Sequence, residues 1–184
     1  GGATRPVTGT GENPPAISVT PASRDFGTVE VGSYADLTFT VENTGGGTLI
    51  GNATVPAPFT IESGGSYSLT AAQTQVITVR FSPASDQSYS EDVTFTGGGG
   101  ATRPVTGTGE NPPAISVTPA SRDFGTVEVG SYADLTFTVE NTGGGTLIGN
   151  ATVPAPFTIE SGGSYSLTAA QTQVITVRFS PASD

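Results

Sequence analysis

The stretch Leu37-Thr38-Phe39-Thr40-Val41-Glu42-Asn43-Thr44-Gly45-Gly46-Gly47 decides the fold. Its first six residues alternate apolar and polar. In an extended chain successive side chains point to opposite faces, so Leu37, Phe39 and Val41 share one face while Thr38, Thr40 and Glu42 share the other. A helix would need apolar residues every three to four positions, and the stretch has no such period. The Asn-Thr-Gly-Gly-Gly run that follows tolerates turn conformations and ends the strand.

Outward from this strand the alternation recurs. Ile77-Thr78-Val79-Arg80-Phe81, Phe59-Thr60-Ile61-Glu62 and Val93-Thr94-Phe95-Thr96 repeat it, and Ile17-Ser18-Val19 and Val29-Glu30-Val31 are shorter versions. Ala101 to Thr108 reads as a weaker strand around Val105, with Pro104, which has no N–H to donate, predicting an edge position. Ser63-Gly64-Gly65 and Ser82-Pro83-Ala84-Ser85-Asp86 are turns, and Ala71-Ala72-Gln73 is a loop rather than a helical turn. Seven or eight short strands of this kind predict an all-β fold, a two-layer β-sandwich. The predicted core is Ile17, Val19, Phe26, Val29, Val31, Leu37, Phe39, Val41, Leu49, Phe59, Ile61, Leu69, Ile77, Val79, Phe81, Val93 and Phe95.

The chain repeats itself. Residue n and residue n+98 are identical wherever both exist, so Gly1 to Asp86 recurs letter for letter as Gly99 to Asp184. A single active site assembled from two unlike halves is thereby excluded. The most linker-like stretch is Gly107-Thr108-Gly109-Glu110-Asn111-Pro112-Pro113, because paired prolines favour a stiff extended connection. The expected frame is therefore 1–11 as the last strand of a preceding repeat, 12–109 as a complete sandwich, and 110–184 as a sandwich without its last two strands. The joint between repeats would be Gly109, Glu110, Asn111, Pro112 and Pro113. Two expectations follow from such a frame. Either the 184 residues are a window onto a longer array, or Ala3, Thr4, Arg5, Pro6, Val7 and Thr8 of one chain are a donor strand for the open sheet of another. The donor supplies one of two missing strands, which favours the longer array; both build a head-to-tail filament.

Composition narrows function. The chain has no Cys, Met, Trp or His, and its six basic residues are all Arg. Without Cys there are no disulfides or thiolate sites, and without His or Cys the usual zinc and copper sites cannot form. Without His no Ser-His-Asp or Cys-His nucleophile can be assembled, and without Lys neither a Schiff base nor a P-loop clamp. The formal net charge of −10 opposes nucleic acid and anionic membranes as partners. No apolar run approaches the ~20 residues that span a bilayer. A Thr-rich, Lys-free and Cys-free acidic chain has the character of a microbial extracellular protein.

The opening Ile17-Ser18-Val19-Thr20-Pro21, then Asp25-Phe26-Gly27-Thr28-Val29-Glu30-Val31-Gly32, resembles hydin-like (ASH-type) immunoglobulin-like domains, and is similar to bacterial choice-of-anchor D repeats. The resemblance continues through Phe39-Thr40-Val41-Glu42-Asn43-Thr44-Gly45, Phe59-Thr60-Ile61 and Val79-Arg80-Phe81-Ser82-Pro83. It implies tandem immunoglobulin-like sandwiches, with bacterial relatives in large secreted or surface proteins and eukaryotic ones in cilia and centrosomes. It carries no shared catalytic residues.

Candidate sites are few. Gly97-Gly98-Gly99-Gly100 lacks the Lys and helix of a phosphate loop and reads as a hairpin turn. Asp86, Glu91 and Asp92 are candidate calcium ligands, though their spacing matches no EF-hand and solvated loop acids are the default. Glu110 and Asn111 could hold a cation at the joint. Tyr34, Tyr67, Tyr89 and Phe59 could form a sugar platform, but the chain has no Trp and sheet packing is the simpler reading. Asn52-Ala53-Thr54 and Asn150-Ala151-Thr152 are glycosylation sequons. The expected function is a structural repeat of an extracellular filament, stalk or giant surface protein, giving length and rigidity. The alternative is a repeated adhesin module binding glycans or surface ligands by avidity. No enzymatic activity, catalytic residue or cofactor is expected, Ca²⁺ being the one candidate ion. The expected partners are copies of the chain itself, with no nucleic acid, membrane insertion or small-molecule ligand.

Overall fold

The computed structural model describes residues 1–182 and divides the chain into two compact units, Gly1–Gly109 and Glu110–Asp184. The first unit contains β1 (Ile17–Thr20), β2 (Arg24–Glu30), β3 (Ala35–Asn43), β4 (Leu49–Thr54), β5 (Phe59–Ser63), β6 (Ser66–Leu69), β7 (Thr74–Phe81), β8 (Ser88–Phe95) and β9 (Ala101–Glu110). They form a four-stranded sheet in the order β1-β3-β7-β5 and a five-stranded sheet in the order β2-β9-β8-β4-β6. The described residues contain no helix. The all-β sandwich expected from the alternation is what the chain adopts.

The alternation sets which residues meet between the sheets. β3 and β7 run antiparallel from Ala35 opposite Phe81 to Glu42 opposite Thr74, which places Phe39 opposite Ile77. Both are fully buried, as are Val41, Val79 and Phe81. From the other sheet Leu49, Val93, Phe95 and Val105 close the core, with Phe95 edge-on to Phe39. Side chains of this size each stabilise the fold by roughly 1.5–3 kcal/mol when buried. Ile17, Val31, Leu37 and Ile61 of the predicted core are only half-buried, while Ala53, Tyr67 and Val105 join it.

Two expectations are corrected. β9 is not an edge strand despite Pro104, because Arg24–Glu30 lines up beside it and β8 pairs with its other side, Asp92 opposite Pro104. β4 and β6 lie outside the strands that the alternation predicts. Gly51 and Asn52 interrupt the apolar pattern of β4, and Gly51 is there because a β-carbon would collide with the Thr96 carbonyl.

The turn residue Asn43 is fully buried. Its Oδ1 accepts from Ala16 N–H (3.2 Å) and Gly45 N–H (3.1 Å), and its Nδ2 donates to the carbonyls of Gly47 (3.1 Å) and Leu69 (3.0 Å). One amide thus ties the entry to β1, the β3–β4 loop and the end of β6, which lie in different sheets.

The second unit contains β10 (Ile115–Thr118), β11 (Ala133–Asn141), β12 (Thr146–Asn150), β13 (Phe157–Ser161), β14 (Ser164–Thr168) and β15 (Thr172–Phe179). β10-β11-β15-β13 repeats the first sheet, and β12 pairs only with β14. Asn141 is again fully buried and bonded to Ala114, Gly143, Gly145 and Leu167.

Replacing Asn43 with Ala strands buried backbone donors and acceptors, each worth about 1–3 kcal/mol when left unmade. N43A is expected to lower the urea midpoint of the first unit's transition by the equivalent of about 2–4 kcal/mol; the matching loss in the second unit is expected from N141A.

Candidate functional site

Three places carry features beyond packing. The first is the seat of the Pro-rich segment. Glu12 to Pro15 lies against the Gly45–Gly47 loop: Gly46 N–H donates to the Pro14 carbonyl (3.2 Å), Thr44 N–H to that of Ala16 (2.8 Å) and Gly47 N–H to the Glu12 carboxylate (2.7 Å). A β-carbon on Gly45 would collide with the Pro14 carbonyl, and one on Gly46 with that of Asn13. The second unit repeats the seat with Pro112, Ala114, Thr142 and Gly144. Gly109, by contrast, packs within the first unit, its N–H donating to the Gln87 carbonyl (2.9 Å) and its Cα facing Pro83 and Ser85. Gly109 is thus bonded within the first unit, and the Pro112 and Ala114 carbonyls within the second.

The second place lies on the outer face of the β1-β3-β7-β5 sheet. Asp36 and Arg80 are cross-strand partners, and the guanidinium grips the carboxylate with two bonds of 2.8 and 2.9 Å. Glu62 approaches within 3.2 Å and the Tyr34 ring lies 3.8 Å beneath. Arg178 repeats the arrangement with Asp134, Glu160 and Tyr132. The hydrogen bond from Arg80 holds the Asp36 carboxyl below its ordinary value of 3.8, partial desolvation opposing it. The cluster is half-exposed, so it orders the surface more than it stabilises the fold.

The third place is the uncovered face of the second unit, a groove of about 410 Å³ between its two sheets. Phe124, Phe137, Val139, Tyr165 and Ile175 line it. In the first unit the equivalent surface is covered by β8 and β9. Uncovered, Val117 is 45% exposed where its twin Val19 is 2%. Arg122–Glu128 forms no strand, although the same sequence is β2 in the first unit.

The remaining candidates are scattered. Glu91 and Asp92 are consecutive on β8 and face opposite ways, Asp86 lies in the preceding loop, and among the described residues no group of three acidic side chains is close enough to hold a metal ion. Glu12, the twin of Glu110, commits its carboxylate to a backbone N–H. The aromatic platform does not assemble: Phe59 and Tyr67 are core residues, and Tyr89 packs edge-on against Phe81. The Tyr67 hydroxyl donates to the Thr96 carbonyl, and burial raises its pKa. Asn52 and Asn150 are exposed on β4 and β12. Ala3 to Thr8 is exposed and forms no strand, with Val7 94% exposed. No helix among the described residues is long and apolar enough to cross a membrane.

A family model described as HYDIN/CFA65/VesB-like, Ig-like domain matches residues 15–108. The chain belongs to this family. Among solved structures, it is similar to the ASH/PapD-like domain 7 of human CEP192, at 16% identity and a TM-score of 0.45 over 61% of this chain and 96% of that one. It is also similar to a protein of unknown function from Porphyromonas gingivalis W83, at 13% identity and a TM-score of 0.46 over 90% and 83% of the two chains. The Pseudomonas aeruginosa CupB2 chaperone matches at 12% identity and a TM-score of 0.42, over 87% of this chain and 90% of that one. No curated protein sequence is significantly similar to the chain.

Two measurements check these sites. G46A should expel the Pro-rich segment from its seat, seen as faster exchange of the residue-46 and Gly47 amides with the core unchanged. Because the folded Asp36 pKa is depressed, the stability it contributes is present above pH 3.8 and lost as pH falls through the lower folded value. The melting temperature of D36N/D134N should therefore fall less than that of the parent chain between about pH 4 and pH 2.

Proposed function

We propose that the chain is a piece of a tandem array of identical 98-residue immunoglobulin-like repeats that serves as an extracellular filament, stalk or surface spacer of a microbe. One observation carries this reading: the complete unit takes the chain in at one end and releases it at the other. At the entrance Ile17 N–H donates to the Gly98 carbonyl, in the β8–β9 turn. At the exit Gly109 N–H donates to the Gln87 carbonyl, just before β8 begins. The ladder between these points pairs Ser88 with Thr108 at one end and Phe95 with Ala101 at the other. At ~3.3 Å per residue it holds entrance and exit about 25 Å apart. A unit threaded end to end adds length with each copy, whereas one with adjacent termini would hang to the side.

The letter-for-letter identity of the copies suits a part whose only task is repetition. The residue set offers no His, Cys or Lys for catalysis, and the acidic charge keeps copies soluble. Partners in this reading are further copies, joined head to tail.

Electron microscopy of the native material should show a beaded fibre with an axial repeat on the order of 40 Å. Isolated globules would overturn the spacer reading. A glycan array probed with the chain should stay silent; saturable binding would point instead to an adhesin.

A further inference from the structure

We propose that the complete unit is a tension clamp, in which β1 and β2 on one side and β9 on the other carry a pull along the chain in shear. The proposal deepens the filament reading. It rests on that reading only in taking the entrance and the exit of the unit as the points where load arrives and leaves.

Direction is what makes a clamp, and the contacts of β9 fix it. The strand starts with Ala101 opposite Phe95, at the β8–β9 turn, and ends with Gly109 bonded to Gln87, at the exit. Near its start Arg103 Nε donates to the Val19 carbonyl of β1 at 3.0 Å. Near its end Thr106, Gly107 and Thr108 border one hollow with Asp25, Gly27 and Thr28 of β2. From Val19 to Thr28 the incoming chain therefore travels from entrance to exit, the same way as β9. β2 is also the hydrogen-bonded neighbour of β9 in the sheet. The incoming and outgoing strands of the unit thus run side by side and parallel.

A pull on the chain drags the β1–β2 run back towards the entrance and β9 on towards the exit. The two slide along a common axis, so the hydrogen bonds between them are loaded together and must fail together. Were both strands pulled from the same end, the bonds would open one at a time. Further bonds spread the load into both sheets. β1 pairs with β3 from Ile17 opposite Asn43 to Thr20 opposite Thr40. Where the chain crosses between the sheets, Arg103 holds Val19 on one side, and Arg24 Nε donates to the Thr38 carbonyl at 2.8 Å on the other. Guanidinium groups thus staple the crossover of Pro21 to Ser23 at both ends.

The chain has no Cys, so a pair of introduced ones is its only thiol attachment for a pulling experiment. T10C takes hold of the incoming segment, which is exposed. T108C takes hold of β9 at the exit end and T102C at the entrance end, on the same face of the strand. Stretched in optical tweezers, the 184-residue chain held through T10C/T108C should unfold its first unit at a force about twofold or more above that for T10C/T102C at the same pulling speed, each event releasing roughly 300 Å of chain. Forced unfolding follows the barrier rather than the equilibrium, so the urea midpoints of the two variants should match while their forces differ. Should T108C lower the midpoint, T106C, exposed on the same face, takes its place. Equal forces in the two directions would overturn the clamp, and a beaded fibre in the microscope would still keep the filament reading. Isolated globules together with a directional force would discard the filament and keep the clamp.

Discussion

The fold depends on one buried amide. Asn43 lies where the chain enters β1, leaves β3 and finishes β6, and each of these leaves backbone groups that no ladder satisfies. A buried, unpaired backbone group is costly, so the three segments can meet only if something bonds to all of them. The Asn side chain offers both acceptor and donors, and here it uses both. Apolar burial between the sheets is larger in total but has no direction. The amide fixes which loop meets which strand. The same network survives around Asn141 although that unit has far less covered core.

Identical sequence in two settings separates local from tertiary causes. Ile115–Thr118, Ala133–Asn141 and Thr172–Phe179 repeat the strands of the first unit residue for residue, because their partners are all present. Arg122–Glu128 does not, because its twin β2 is held by β9. An isolated edge strand gains too few contacts to offset the entropy of ordering it. Val7 is exposed in a segment that forms no strand, and its twin Val105 is buried within β9, which makes the same point. Strand structure in this chain belongs to the sheet, and a segment acquires it by finding a lane.

The chemistry of the surface fits a chain that holds together and repeats. Its best-ordered polar cluster, Arg80 with Asp36, Glu62 and Tyr34, consumes its own charges in a cross-strand grip. The Pro-rich segment is seated by glycines with no room for a side chain. Acidic side chains otherwise stay apart, as on β8, where Glu91 and Asp92 face opposite ways.

The alternation in Leu37 to Glu42 is enough to read strands, sandwich and most of the core, because period-two burial is a local property. The 98-residue identity announces the repeat, and the missing residue types exclude thiolate, imidazole and lysine chemistry. Three things lie beyond the sequence. Asn43 reads as a turn residue because its partners, Ala16 and Leu69, are distant along the chain. Pro104 suggests an edge that the neighbouring Arg24–Glu30 removes. The opposite placement of entrance and exit comes from the β8–β9 ladder, which no spacing reveals. Local patterning says how a segment is built; only the assembled sheets say which groups face each other across them, since those contacts join residues far apart in sequence.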